Sequence, residues 1–95
     1  MKYLEKIGFS SDDINIIKKS TTSVIFNLLS EQKKVVNANI IYLRDLGVTN
    51  FHEIFIKYPD LFLIDNSNFK EIFEKYDRED LINKLNNNID IFVYL

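Results

Sequence analysis

The 95-residue chain has no cysteine and no tryptophan, and it has only two glycines, one proline and one histidine. Without cysteine it can form neither a disulfide framework nor a thiolate metal site. This fits a reducing compartment, and we expect the protein to be cytoplasmic. The two glycines, Gly8 and Gly47, lie too far apart to form a glycine-rich phosphate loop. We therefore expect no cofactor.

Long apolar runs and a basic charge balance are also missing. The longest uninterrupted apolar run, Ile91 to Leu95, is far shorter than the ~20 residues that span a bilayer, so we expect no membrane partner. General polyanion-binding proteins are basic overall, whereas this chain has a net charge of −2. The charge is uneven, because residues 1–34 contain six lysines and four acidic residues, and residues 35–95 contain six basic and ten acidic residues. Only a local basic surface is compatible with these numbers.

The apolar residues that are present follow a helical spacing. They lie at i, i+3, i+4 and i+7 in two sets, Phe51, Ile54, Phe55 and Tyr58, and Phe69, Ile72, Phe73 and Tyr76. Each set lines one face of a helix, and the scarcity of glycine and proline favours helices joined by short turns. The sequence predicts one all-α domain over residues 1–95 with at least five helices. The last segment, Ile89 to Leu95, has the composition of a strand, and its structure is left open.

Helix starts and turns are marked by capping pairs. Three pairs place a capping side chain three residues before an acidic residue: Ser10 with Asp13, Asn50 with Glu53, and Asp77 with Asp80. The first side chain of each pair can accept from free backbone amides, and the acidic residue favours the positive end of the helix dipole. Gly8 and Gly47 precede two of these pairs and suit the left-handed conformation that ends a helix. We therefore predict turns at Gly8-Phe9, at Gly47 to Thr49 and at Tyr76-Asp77.

The chain also resembles itself. A shift of thirty residues places Leu43, Leu46, Phe51, Phe55, Asp60 and Phe62 on Phe73, Tyr76, Leu81, Leu85, Asp90 and Phe92. A further copy begins near Tyr3 and is lengthened by an additional stretch from about Thr21 to Val35. Self-similarity of this length predicts helical units that stack because one unit cannot bury its own apolar face. The predicted fold is a short stack of helical hairpin repeats, with two to three units.

The second copy resembles the repeat of the mitochondrial transcription termination factor (mTERF) family. The matching residues are Leu46, Gly47, Val48 and Thr49, the helix to Tyr58, then Pro59, Leu61-Phe62 and Ser67. The first copy matches through Leu4, Gly8, Phe9, Ser10 and Ile14, and departs at Ser20 to Ser23, where proline and the apolar pair would stand. The resemblance implies a helical solenoid whose concave face binds nucleic acid.

Residues with reactive chemistry are few and isolated. His52 has no matched acid or cysteine, and no base lies near the hydroxyl groups of Ser20 to Ser23 in the sequence. The acidic residues Glu74, Asp77, Glu79 and Asp80 lack the spacing and the glycine of a calcium loop. We therefore expect neither catalysis nor a metal site.

Two hypotheses of function remain. In the first, a non-catalytic repeat module binds nucleic acid through two lysine pairs, Lys18-Lys19 and Lys33-Lys34, each near a predicted helix end where a cation also favours the helix dipole. In the second, the chain is a small protein–protein interaction or regulatory module, with a homodimer as one form. Its candidate interface residues are Ile91, Phe92, Tyr94 and Leu95. These residues either fold back onto the hairpin before them, which we favour, or cover another subunit.

Overall fold

The computed structural model describes all 95 residues and contains seven α-helices, two 3₁₀ helices and no strand. The α-helices are α1 (Lys2–Lys6), α2 (Ser11–Ser20), α3 (Ser23–Glu31), α4 (Lys33–Leu46), α5 (Phe51–Lys57), α6 (Asn66–Glu74) and α7 (Arg78–Asn87). The 3₁₀ helices are η1 (Pro59–Phe62) and η2 (Ile89–Tyr94). The all-α prediction is confirmed. The longest helix, α4, has 14 residues, and none is long and apolar enough to cross a membrane.

The turns fall where the sequence predicts them. Gly8 and Gly47 have φ angles of 96° and 113°, a region that side chains with a Cβ atom rarely adopt. In the first turn the Phe9 amide donates to the Leu4 carbonyl, and in the second the Val48 amide donates to the Leu43 carbonyl. These bonds close α1 and α4 in the manner of a Schellman motif.

Two of the three predicted caps form. Ser10 accepts from the Asp13 amide while the Asp13 carboxylate accepts from the Ser10 amide, and Asp77 accepts from the Asp80 amide. The prediction of a side-chain cap at Asn50 is wrong. Its side-chain Nδ2 donates to the Leu85 carbonyl at 2.9 Å instead, so a bond to α7 replaces the local one.

One hydrophobic core of 17 buried residues joins all the helices. Its centre is a cluster of phenylalanine rings from α5, α6 and the two 3₁₀ helices. The Phe62 ring packs edge-on against Phe55 at 5.0 Å and stacks on Phe92 at 5.3 Å between centroids. Phe69 and Phe73 also contact Phe92, with centroids 6.3 and 6.0 Å away. Helix α6 packs against α4, and its Phe69 and Phe73 rings also contact Tyr42 of α4. Aromatic contacts therefore contribute much of its packing.

The C-terminal segment folds back onto its own chain. It forms η2 rather than a strand, and the Phe92 side chain in its middle is only 6% exposed. Asp90 fixes the start of this helix to α5, because its Oδ1 atom accepts from Lys57 Nζ and from the Tyr58 hydroxyl, both at 2.6 Å. Phe92 thus packs within its own chain, while Tyr94 near the end of the segment is exposed.

Candidate nucleic-acid interface

A shallow groove of about 450 Å³ runs between α1 and α4, which pack against each other. We call it the α1–α4 groove. The residues that line it are Tyr3, Lys6, Ile7, Lys33, Lys34, Asn37, Ile41 and Arg44. At one end it continues into a smaller depression lined also by Met1, Lys2 and Ser30. Five basic side chains thus surround one continuous groove.

The spacing of residues along α4 places one wall of the groove on a single helix face. Lys33, Asn37, Ile41 and Arg44 stand at i, i+4, i+8 and i+11, and such residues share one side of a helix. Tyr3, Lys6 and Ile7 line the other side of the groove from α1 and its end. The apolar side chains Tyr3, Ile7 and Ile41 are half-buried and form the floor, whereas the cations from both helices are exposed and stand at the rim.

Tyr3 ties the short helix α1 to the rest of the molecule. Its hydroxyl donates to the Leu29 carbonyl near the end of α3 at 2.6 Å. Burial raises the pKa of this hydroxyl above its ordinary value, which already lies well above neutral pH, so the hydroxyl is protonated and can donate. Because the bond fixes the ring, α1 presents a rigid wall to the groove.

The charge of the groove is not compensated within it. None of the 14 acidic residues lines the groove or its extension. The lysines Lys6, Lys33 and Lys34 form no ion pair, since the three ion pairs of the molecule involve Arg44, Lys57 and Lys84. Arg44 is partly neutralised, because its Nε lies 3.0 Å from Asp45 Oδ1. The arrangement can attract a flexible polyanion to one face of an otherwise acidic protein.

The structure separates the two predicted lysine pairs. Lys33-Lys34 lie in the groove, whereas Lys18-Lys19 are exposed in the last turn of α2 and do not line it. The sequence predicted that each lysine pair lies at a helix end where the helix dipole attracts positive charge. This is correct for Lys18-Lys19 in the last turn of α2 and wrong for Lys33-Lys34. Because α3 ends at Glu31, Lys33-Lys34 occupy the first turn of α4, where the dipole repels positive charge.

Sequence reasoning missed Lys6 and Arg44 as members of this site. The helical spacing of Arg44 with Lys33 was available in the sequence. The pairing of α1 with α4, which brings Lys6 to the same groove, is a long-range contact and leaves no local signal.

A second surface lies at the C-terminal end of the fold. A cleft of about 190 Å³ is lined by eight residues, all hydrophobic: Leu61, Ile64, Phe69, Ile72, Phe73, Phe92, Val93 and Leu95. We call it the C-terminal cleft. Of the four predicted interface residues, Phe92 is buried within its own chain, Ile91 and Leu95 are half-buried, and Tyr94 is 84% exposed. The surface open to a partner is therefore Tyr94 with Val93, rather than Phe92.

The isolated reactive residues have structural partners. His52 is half-buried, packs against Phe9 and Phe51, and its Nε2 donates to the Ile7 carbonyl at 3.1 Å. The Ser20 and Thr21 hydroxyls donate to the Ile17 carbonyl, and Thr22 caps α3. Asp80 pairs with Lys84 at 3.0 Å, while Asp77 caps α7. These groups form hydrogen bonds at helix ends or, for Asp80, an ion pair within α7.

Comparison with protein-family models, with curated proteins and with solved structures finds no match for this chain.

Proposed function

We propose that this protein is a non-catalytic helical-repeat recognition module that binds nucleic acid through the α1–α4 groove. The observation that carries the proposal is the gathering of Lys6, Lys33, Lys34 and Arg44 around one groove that no acidic side chain lines. The resemblance of residues 42–72 to mTERF repeats points to the same class of ligand.

The chemistry of the groove suits a phosphate backbone. Lysine ammonium groups are mobile point charges that follow phosphates without demanding one geometry, and three of the four groove cations are unpaired lysines. Binding of this kind releases counterions from the nucleic acid, so affinity falls as salt rises. Because the net charge is −2, the surface outside the groove offers a polyanion no net attraction.

The repeat arrangement is part of the same proposal. Hairpins α1–α2, α4–α5 and α6–α7 would be the units, and the aligned segments PDLF and IDIF both form 3₁₀ helices, η1 and η2. The turn glycine of each of the first two units lies against a residue of the next unit, and these two residues occupy equivalent positions in the repeat. A Cβ atom on Gly8 would lie 3.1 Å from His52 Nε2, and one on Gly47 would lie 3.4 Å from Ile82 Cδ1. His52 and Ile82 are thirty residues apart, which is the shift of the sequence repeat.

The two lysine pairs provide a charge-matched experiment. We expect the double variant Lys33→Ala/Lys34→Ala to weaken binding of a fluorescently labelled oligonucleotide and to lower the slope of log K against log salt by about 1–2. The variant Lys18→Ala/Lys19→Ala removes the same charge from outside the groove and should change affinity far less. Anisotropy titrations at several salt concentrations measure both. Equal loss in the two variants, or no binding by the parent at low salt, contradicts the proposal.

The C-terminal cleft supports a second candidate function, self-association into a homodimer. The side chains that line it carry no charge, so a second copy of the chain could face it across a two-fold axis without repulsion between like-charged side chains. Val93, one of the lining residues, is 49% exposed, and the next residue of η2, Tyr94, is 84% exposed.

Sedimentation velocity across a range of concentrations tests the dimer. The parent should gain mass with concentration, and Tyr94→Glu should remain monomeric because a charge would enter the interface. Val24→Glu, an equally drastic change at a 66% exposed site on α3, is the control. A parent that stays monomeric at every concentration removes this candidate.

A further inference from the structure

We infer that the α1–α4 groove takes single-stranded nucleic acid and places a base on its apolar floor. This inference rests on the proposed function and specifies its ligand. The floor consists of Tyr3, Ile7 and Ile41, and the cations Lys6, Lys33 and Lys34 stand around it. A site for phosphate alone has no need of an apolar floor.

The dimensions of the groove favour one strand over two. Its walls come from helices in direct contact, whose axes are expected to be about 8–10 Å apart. A duplex buries its bases and presents phosphates on a broad convex surface, so it would touch only the rim and leave the floor empty. A single strand can turn one base inward and keep its flanking phosphates beside the lysines.

Two residues that line the groove, Tyr3 on its floor and Asn37 on α4, suit an inward-facing base. The ring of Tyr3 is held in place by its hydroxyl bond to Leu29 O, so stacking on it would cost little side-chain entropy. Asn37, between the cations on α4, carries an amide with both donors and an acceptor for a base edge. In a duplex the faces of the bases are stacked and their Watson–Crick edges are paired, so neither is available to Tyr3 or Asn37.

The test compares three probes of equal length, about 12 nucleotides: a single strand, the matching duplex, and a single strand in which the central nucleotides are abasic. We expect the intact protein to bind the single strand at least about tenfold more tightly than the other two, because only this probe has accessible bases that can stack in the groove. The variant Asn37→Ala should weaken binding of the normal single strand and leave binding of the abasic strand unchanged. Lys33→Ala/Lys34→Ala should weaken both.

The possible failures are distinguishable. Binding of the duplex or of the abasic strand as tightly as the normal single strand overturns this inference and leaves the proposed function standing. Binding of none of the three probes at low salt overturns both. Circular dichroism of each variant establishes that it is folded before its affinity is interpreted.

Discussion

At the residue scale, Asn39 is the only polar side chain among the fully buried residues, and all its polar atoms have partners. Its Nδ2 donates to the carbonyls of Phe62 and Ile64 at 2.9 and 2.8 Å, and its Oδ1 accepts from Asn66 Nδ2 at 2.9 Å. Helix α4 thereby satisfies the backbone of the segment between η1 and α6. Because all these bonds must form together, the Asn39 amide specifies how α4 packs against the segment from η1 to the start of α6.

Replacing Asn39 by alanine should lower the free energy of unfolding by about 2–4 kcal/mol, because two carbonyls lose their donor in the interior. Asn37→Ala, two positions earlier on α4 and half-buried, is the control and should stay within about 0.5 kcal/mol of the parent. Urea denaturation followed by circular dichroism gives both values. Equal midpoints for the two variants would show that the Asn39 network contributes nothing to stability.

At the element scale, η2 has one buried and one exposed aromatic residue two positions apart. Phe92 is 6% exposed and contacts the rings of Phe62, Phe69 and Phe73, whereas Tyr94 is 84% exposed. Phe92 and the bonds to Asp90 therefore anchor η2, while the Tyr94 side chain at its end faces outward.

The two aromatic residues predict opposite results for the same kind of substitution. Phe92→Ala should destabilise the fold by about 3–5 kcal/mol through lost burial and a cavity. Tyr94→Ala should change stability by less than about 0.5 kcal/mol. Chemical denaturation of the isolated variants measures both. A small effect at Phe92 would mean that η2 is not part of the stable core.

The contact of Asp90 with α5 makes the stability of η2 depend on pH. Hydrogen bonds from Lys57 and from Tyr58 lower the pKa of the Asp90 carboxyl below its ordinary value of 3.8. A lowered pKa means that the ionised carboxylate stabilises the folded state at neutral pH, and that this contribution disappears as pH falls through the folded-state pKa.

We expect Asp90→Asn to have a lower melting temperature than the parent at neutral pH, and the difference to close below about pH 3.8. The control is Asp60→Asn, at the corresponding position of η1, where the carboxylate is exposed and forms no ion pair. Thermal unfolding across a pH series measures the difference. A gap that persists unchanged at acid pH would assign the effect to something other than the charge of Asp90.

At the scale of the whole molecule, contacts between distant segments join both ends of the chain into one core. Helix α1 packs on α4, α2 on α5, and α6 on α4, while η2 reaches back to α5. No group of helices has a core of its own, because the 17 buried residues form one cluster.

The chain should therefore unfold in one cooperative step. Helix content by far-UV circular dichroism and tyrosine fluorescence should give coincident denaturation curves. The five tyrosines extend from Tyr3 in α1 to Tyr94 in η2, so their summed fluorescence reports on both ends of the chain. Two separated transitions would instead indicate that the hairpins are stable units on their own.

Local patterns determined the helices, their turns and most of their caps. A glycine at positive φ, a capping serine or a stripe at i, i+3 and i+4 acts through neighbours within a few residues, so Gly8, Gly47 and Ser10 could be assigned from the sequence. The stripe of Phe51 and Phe55 likewise predicted which face of α5 is buried. The same locality explains why the thirty-residue shift found two segments, PDLF and IDIF, that fold alike.

Tertiary structure decided everything that depends on which elements meet. Asn50 gives up its cap for a bond to Leu85, because a partner from α7 lies within reach only in the folded chain. Lys6 joins Lys33-Lys34 because α1 packs on α4, while Lys18-Lys19 lie elsewhere although they are also lysines. Phe92 turns inward because three rings from η1 and α6 surround it. Contacts between residues far apart in sequence carry no local signature, so the groove and the C-terminal cleft could not be drawn from the sequence alone.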